Sequence, residues 1–375
     1  MSEAILDHNS WVAGKRTLNP TRVLRNFFVE HLAVDLGTVN TLIYAPGQGL
    51  ILNEPSVVAL EKHSKEVLFV GRAAQKLIGR EPRDIEVYRP IRGGTIDNFE
   101  VAQKMLKQFL KLARDGRHRR SHLVIGVPGS STTIEQRSVR EAARDAKAGR
   151  VDLVDEGLAA AVGAGVDLDD EHAHLIVDIG GGTTNIAVVA SGGVVSSRSL
   201  PVAGISMDEA IRDSVRIKHS LLIGEVSAEQ IKCALGSADN AATENHEMEI
   251  VGKQLTNGAG ESLTIDSTAV NEAIEPALRE IVNEIRGVIE AAPPEVTADI
   301  YHSEVLLTGG GALLQGMPER LHRELNLRVT RASDPLTAVA VGAGRLLQEP
   351  DKLQRAAIRQ DVNVWESSHE LVVNW

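Results

Sequence analysis

Residues 175–189, LIVDIGGGTTNIAVV, limit what this chain can fold into more than any other stretch: an apolar run ends at an acid, turns through three glycines and two threonines, and resumes apolar. The pattern reads as strand, tight turn, strand. Burial of Leu175, Ile176 and Val177 accounts for the first strand, and Gly180, Gly181 and Gly182 are expected to take positive φ and bring backbone N–H groups close to an anion of phosphate size. Asp178, at the strand end, is then fixed beside whatever the loop holds. A glycine hairpin with no ligand carries the same signature.

A second copy narrows the reading. Residues 32–44, LAVDLGTVNTLIY, repeat the order of apolar strand, Asp-x-Gly, Thr-bearing turn and apolar strand, so Asp35 corresponds to Asp178. Asn40-Thr41 is expected to match Thr184-Asn185, and both copies run on to glycine turns, Gly47-Gln48-Gly49 and Gly192-Gly193. Internal duplication predicts two similar domains facing each other across a nucleotide. The two acids would bind Mg²⁺ through water, because that ion gives up its hydration shell reluctantly.

At these residues the chain resembles the actin-like ATPase superfamily and, within it, the MreB family. The resemblance covers roughly residues 33–350 and rests on nine runs in the family's order: DLGTVNTLIY from Asp35, GLILNEPSVVAL from Gly49, VGRAAQKLIGREP from Val70, RPIRGGTIDNF from Arg89, VIGVP from Val124, AAAVGAG from Ala159, VDIGGGTTNIAVV from Val177, LIGEVSAEQIK from Leu222 and LLTGGGALLQGM from Leu306. It implies an α/β actin-like ATPase fold, with two duplicated ribonuclease-H-like domains around a nucleotide cleft. Its parts would be an N-terminal extension over 1–32, domain I over 33–172 and 335–350, domain II over 173–334 and a tail over 351–375.

The same resemblance implies ATP and Mg²⁺ as cofactors and filaments of identical subunits on the inner face of the cell membrane. Such filaments would help set rod shape by organising wall synthesis with MreC, MreD and RodZ-like proteins. By position, Glu156 would orient the attacking water, and Gly37, Thr38, Val39, Asn40, Gly180, Gly181, Gly182 and Thr183 would cradle the phosphates. Glu229 would bond the ribose and Lys232 flank the base, with Glu225 and the run Gly309, Gly310, Gly311 and Ala312 completing the site. Physics leaves two simpler readings open: an acid at a helix N-terminus for Asp155 or Glu156, and a surface ion pair for Glu229 and Lys232.

Three departures from the family pattern bear on turnover. Gly157 stands where the family has proline, Gly93 where it has an acid implicated in hydrolysis, and Ile205 where an aspartate follows the glycine. Gly157 is expected to loosen the backbone that carries Glu156. Nucleotide binding is therefore better supported than hydrolysis, which would be slow and coupled to polymerisation. A scaffold with little or no ATP turnover is the near alternative; a small-molecule kinase would need a catalytic aspartate and a substrate pocket added to this core, and no inserted domain is legible.

Composition excludes other classes. With 43% hydrophobic residues over 375 positions there is material for two cores, and a net charge of −11 argues against nucleic acid as a partner. Cys233 is the one cysteine, and no apolar run reaches the about 20 residues that span a bilayer. A cytoplasmic protein, peripherally membrane-associated, is expected. Val23, Leu24, Phe27 and Phe28 recur at helical spacing beside Arg22 and Arg25, which suits an anionic membrane interface or packing on the first domain; the resemblance favours the membrane.

Local signals place the remaining elements. Residues 53–56 read as a turn, 100–114 as an amphipathic helix with Val101, Met105 and Phe109 inward, and 114–122, RDGRHRRSH, as an exposed basic loop. Thr132 and Glu135 form a capping box for a helix reaching Lys147. A helix from Leu313 is expected to aim its N-terminus at the nucleotide, and Asp334-Pro335 to cap a helix over 336–347 whose small residues return to domain I. The tail reads as disordered by default, with partner or lipid binding as the alternative.

Overall fold

Side-chain alternation decides how the first strand, Val29–Leu36, is buried. Leu32, Val34 and Leu36 point into one apolar core and Ala33 into another, so both faces of its sheet are covered. In the computed structural model, which describes residues 29–114, 120–239 and 245–359, this strand is the centre of a five-stranded sheet. The order is Ala148–Asp155, Arg120–Val127, Val29–Leu36, Asn40–Ala45, Gly49–Pro55, with the last three antiparallel and the first three parallel.

The second half repeats that plan strand for strand. Its sheet runs Gly193–Leu200, Thr184–Ala190, His174–Ile179, Val305–Thr308, Val329–Arg331, again a three-stranded antiparallel meander extended by two parallel strands. Leu175, Val177 and Ile179 enter a core belonging to this half, whereas Ile176 enters the core that also receives Ala33. The two sheets thus turn one face each towards a common layer.

That layer holds two helices, Glu156–Ala164 and Ala338–Gln348. They cross with backbones in contact: a Cβ on Gly163 would lie 1.9 Å from the Ala338 carbonyl oxygen, and one on Gly342 would lie 1.8 Å from that of Ala159. Only glycine fits at either point.

Several boundaries differ from those expected. The extension expected over 1–32 stops short of Val29: as the apolar run into the first hairpin leads one to expect, Val29–Leu32 belong to the first strand, whose parallel pairing with Arg120–Val127 begins at Val29, and Leu32 is fully buried. At the other end, residues 351–356 are not tail: helix Pro350–Ala356 buries Leu353 and Ala356, Lys352 pairs with Asp167 at 3.0 Å, and Ala357 bridges to Val154. Residues 53–55 continue a strand, where Glu54 accepts from the Arg72 N–H at 2.8 Å. Arg114 is buried rather than exposed, bonded to Ser121 with its Nε 3.3 Å from Glu30, and His122 pairs with Asp152 at 2.6 Å.

Two helix starts also move. After Val305–Thr308 comes a 3₁₀ turn, Gly310–Leu313, and the helix proper is Met317–Leu325. Asp334 accepts from the Thr337 hydroxyl at 2.6 Å instead of capping backbone, and the helix begins at Ala338. The Thr132–Glu135 capping box forms as read, on helix Thr133–Asp145. The expected membrane residues Val23, Leu24, Phe27 and Phe28, and residues 360–375, lie outside the described residues; among the described ones no helix is long and apolar enough to cross a membrane.

Candidate active site

Each aspartate is placed by the last residues of a buried strand, and register defines its neighbours. Asp35 lies across the hairpin from Leu42 and beside Gly126 on its parallel neighbour; Asp178 lies across from Asn185 and beside Thr308. Counting outward from the aspartates, Asn40-Thr41 matches Thr183-Thr184, one residue away from the expected match. The corresponding threonines both tie their hairpins down. Thr41 is 2.9 Å from the Ser56 hydroxyl, which in turn donates to the Gly37 carbonyl at 2.6 Å, and Thr184 donates to the Val202 carbonyl at 2.7 Å.

The two hairpin tips meet. A Cβ on Gly181 would fall 2.1 Å from Val39 Cγ2, and one on Gly182 would fall 2.6 Å from Thr38 Oγ1. None of Gly180, Gly181 and Gly182 has a positive φ, contrary to expectation. Gly181 and Gly182 are glycines because the other hairpin's side chains occupy the space a Cβ would need, whereas a Cβ on Gly180 would meet only the Thr183 carbonyl of its own hairpin, at 3.1 Å. The Gly94 N–H donates to Thr38 Oγ1 at 3.1 Å, which adds a third segment to the junction. The helix Gly204–His219 starts against the second tip, its Gly204 and Ile205 N–H groups donating to the Gly180 and Gly181 carbonyls at 3.3 and 2.8 Å.

Glu156 arrives from domain I at the first turn of its helix, whose N-cap is Asp155, accepting from the Leu158 N–H at 3.1 Å. The helix-terminal reading thus holds for Asp155, and Glu156 is free to face the second hairpin. Asn185 Nδ2 donates to Glu156 Oε2 at 2.7 Å. Gly157 does not loosen this turn: a Cβ there would meet that of Ala187 at 2.3 Å, so the helix start is pressed against the strand that carries Asn185.

Three carboxylates therefore converge, and among the described residues no Lys or Arg forms an ion pair with any of them. Burial, reinforced by the charge of Asp178, pushes Asp35 up to about 7. Burial likewise pushes Asp178 up to about 6, against the opposing hydrogen bonds from Thr308, at 2.9 Å, and Asn185. Glu156 is raised well above the carboxylate range, first by burial and then by Asp35, Asp178 and Asp155, with the Asn185 bond pulling the other way. A cation between the halves would relieve all three. Among the described residues no three potential ligands converge tightly enough to hold a metal directly.

Other predicted residues divide into two groups. Gly309, Gly310, Gly311 and Ala312 run beneath the second hairpin; Gly309, at φ 80°, sits so close that a Cβ would lie 2.3 Å from the Ile179 carbonyl and 2.7 Å from Asp178 Oδ1. Lys232 also reaches this region, but through Asp208 at 2.8 Å and the Gly204 carbonyl at 3.0 Å, and not as a pair with Glu229. Glu229 is exposed on the same helix, Glu225–Leu235, while Glu225 bonds Arg89 across the cleft at 3.0 Å. Ser56, Thr308 and Asn185 were given no part in the site from sequence, although Asn185 was named in the Thr184-Asn185 step. An asparagine inside the apolar run TTNIAVV was the available signal.

The comparisons with known proteins agree with this geometry. A family model described as MreB/Mbl protein matches residues 29–355. The chain is 40% identical over 329 residues to the cell shape-determining protein Mbl of Bacillus subtilis (strain 168), covering 88% of this chain and 98% of that protein. It is 41% identical over 333 residues to the cell shape-determining protein MreB of Escherichia coli (strain K12), covering 87% and 96%. The structure of MreB5 of Spiroplasma citri bound to ADP matches with a TM-score of 0.82 at 30% identity, over 87% of this chain and 98% of that one. The MamK double helical filament shares the fold, with a TM-score of 0.72 at 23% identity over 85% and 99%. With a duplicated actin-like core and a family match across nearly all its described residues, the chain belongs to the MreB/Mbl family.

Proposed function

We propose that this chain is a nucleotide-binding, actin-like cytoskeletal protein that polymerises with copies of itself and helps set cell shape. The observation that carries the reading is the pair Asp35 and Asp178, one from each half of a duplicated fold, gathered with Glu156 between two hairpins whose tips meet. Relatives named cell shape-determining proteins, and MreB5 structures bound to ADP and AMPPNP, support it.

In this reading the backbone of residues 37–40 and 180–183 holds the phosphates of ATP, and Gly309–Ala312, Lys232, Glu229 and Glu225 line the nucleoside side. Mg²⁺ fits the donor set, since two carboxylates that burial holds back from ionising form a site that a hydrated cation completes. Bound there, it would neutralise phosphate charge. Glu156 holds a water against the γ-phosphate and accepts its proton. The amphipathic run Val23, Leu24, Phe27 and Phe28 lies on the anionic inner face of the membrane, and MreC, MreD and RodZ-like proteins are the partners that membership of the family suggests.

A scaffold with little turnover is favoured by one observation: Gly93, at φ 53°, contributes backbone and no carboxylate to the cleft. Sedimentation of the purified chain with ATP, ADP or no nucleotide, with pellets viewed by negative-stain electron microscopy, tests the main reading. ATP-dependent filaments are expected. A protein that binds ATP and stays soluble at every concentration overturns polymerisation and points to a kinase-like or regulatory ATPase.

A further inference from the structure

We infer that Asn185 is a positioning residue for ATP hydrolysis: its amide nitrogen fixes one oxygen of Glu156, and its Oδ1 accepts a hydrogen bond from the water that the other oxygen of Glu156 orients. The inference rests on the reading of the cleft as a site that hydrolyses ATP.

Asn185 is 2% exposed, lies within strand Thr184–Ala190 and sits directly across the hairpin from Asp178. Glu156 comes from the other half of the molecule, and the 2.7 Å bond from Nδ2 to Oε2 joins the two. Chemistry fixes which way the amide points. Glu156 must be ionised to take a proton from water, and an ionised carboxylate only accepts, so the NH₂ group faces Glu156 and Oδ1 faces away. That Oδ1 is buried, and no described residue donates to it.

A buried acceptor without a donor is costly, and the fold does not require one at this position. In the first half the equivalent residue is Leu42, buried and apolar in an otherwise matching hairpin. The amide is thus specific to the half that meets Glu156. A water bonded to both Oδ1 and Glu156 Oε1 has two of its directions fixed. In the step, the water oxygen bonds to the γ-phosphorus as the bond from phosphorus to the β,γ-bridging oxygen breaks. The electron pair leaves with ADP, and one water proton passes to Oε1 and from there to the released phosphate.

The test is single-turnover phosphate release from ATP-loaded, full-length protein in wild type, Asn185→Asp, Glu156→Gln and the double variant. Asn185→Asp keeps the shape and removes the donor. Release is expected to slow by about tenfold to a hundredfold with ATP still bound, and the double variant to be no slower than Glu156→Gln alone, because the amide acts through that carboxylate. Losses that multiply in the double variant, or a wild-type rate in Asn185→Asp, overturn the inference and leave the hydrolytic reading standing. A wild type that binds ATP but releases no phosphate above the uncatalysed background overturns the hydrolytic reading, and the inference with it. If thermal melting shows that Asn185→Asp does not fold, Asn185→Leu, which places there the side chain of the matching position 42, removes the donor as well and provides the same comparison.

Discussion

Asp35 and Asp178 hold the same place in two copies of one structural unit, and their surroundings differ in kind. Asp35 is flanked by Leu42 and Gly126, which offer it no side-chain donor; Asp178 is flanked by Thr308, which donates to it at 2.9 Å, and by Asn185, whose amide also favours its ionised form. Burial raises both, to about 7 for the first and about 6 for the second. Duplication set the positions of the two acids, and the flanking strands then set how readily each ionises. The helix starts diverge in the same way, Glu156 in one half against Ala338 in the other. Polar machinery is concentrated where domain I's helix meets domain II's hairpin.

The helix crossing shows the opposite, a contact made alike from both sides. Gly163 meets the Ala338 carbonyl and Gly342 the Ala159 carbonyl at nearly equal distances. Gly163→Leu and Gly342→Val should therefore fail alike, each destabilising the fold by more than about 4 kcal/mol, because backbone cannot step aside as a side chain can. Yield of soluble protein and thermal melting check this. A variant that melts like the wild type would remove the crossing as the point that joins the halves.

The hairpin tips should respond unequally. Gly181→Val drives a branched side chain into Val39, and it is expected to part the tips and weaken ATP binding by about tenfold to a hundredfold. Val39→Gly removes the projecting side chain and should cost far less. Equilibrium titration with a fluorescent ATP analogue measures both. Equal losses would mean that the two tips are interchangeable and that their asymmetry has no bearing on the nucleotide.

What the sequence made legible was local and periodic. Two apolar runs broken at Asp35 and Asp178 are visible because strand burial and turn composition act over about a dozen residues, and the same holds for the Thr132–Glu135 box. The bond between Asn185 and Glu156 spans 29 positions and depends on how a helix start packs on a strand, which periodicity does not encode. The contact of Lys232 with Asp208, in place of the surface pair with Glu229 that spacing left open, escapes sequence for a similar reason, since Asp208 lies on a different helix. Gly181 and Gly182 were recognised as necessary, but for conformation when the cause is space. Residues 351–356 were read as tail because their burial rests on Leu353 and Ala356 and on ion pairs to Asp167 and Asp169, two acids of the segment joining the domains.

The smallest effects should come from exchanging the neighbours of the two aspartates. A carboxylate with a raised folded pKa keeps its proton over a window in which the unfolded chain has already lost it. Stability without nucleotide should therefore fall as pH rises from about 4 through about 7, where Asp35 ionises, and the raised Glu156 acts in the same direction. Binding of the hydrated cation needs the ionised acids, so Mg²⁺-dependent ATP affinity should rise over the upper part of the same window, through about 6 and about 7. Thr308→Val removes a bond to Asp178 at nearly constant volume. It should move the lower limb of that binding curve upward and cost about tenfold in affinity near pH 6. Leu42→Asn gives Asp35 the amide that Asp178 already has, and should lower the upper limb by less, because Gly126 still offers no donor beside it. Calorimetric titration of Mg²⁺ and ATP across this range reads both limbs. If Thr308→Val leaves both in place, the difference between the aspartates lies in their burial alone and not in the residues beside them.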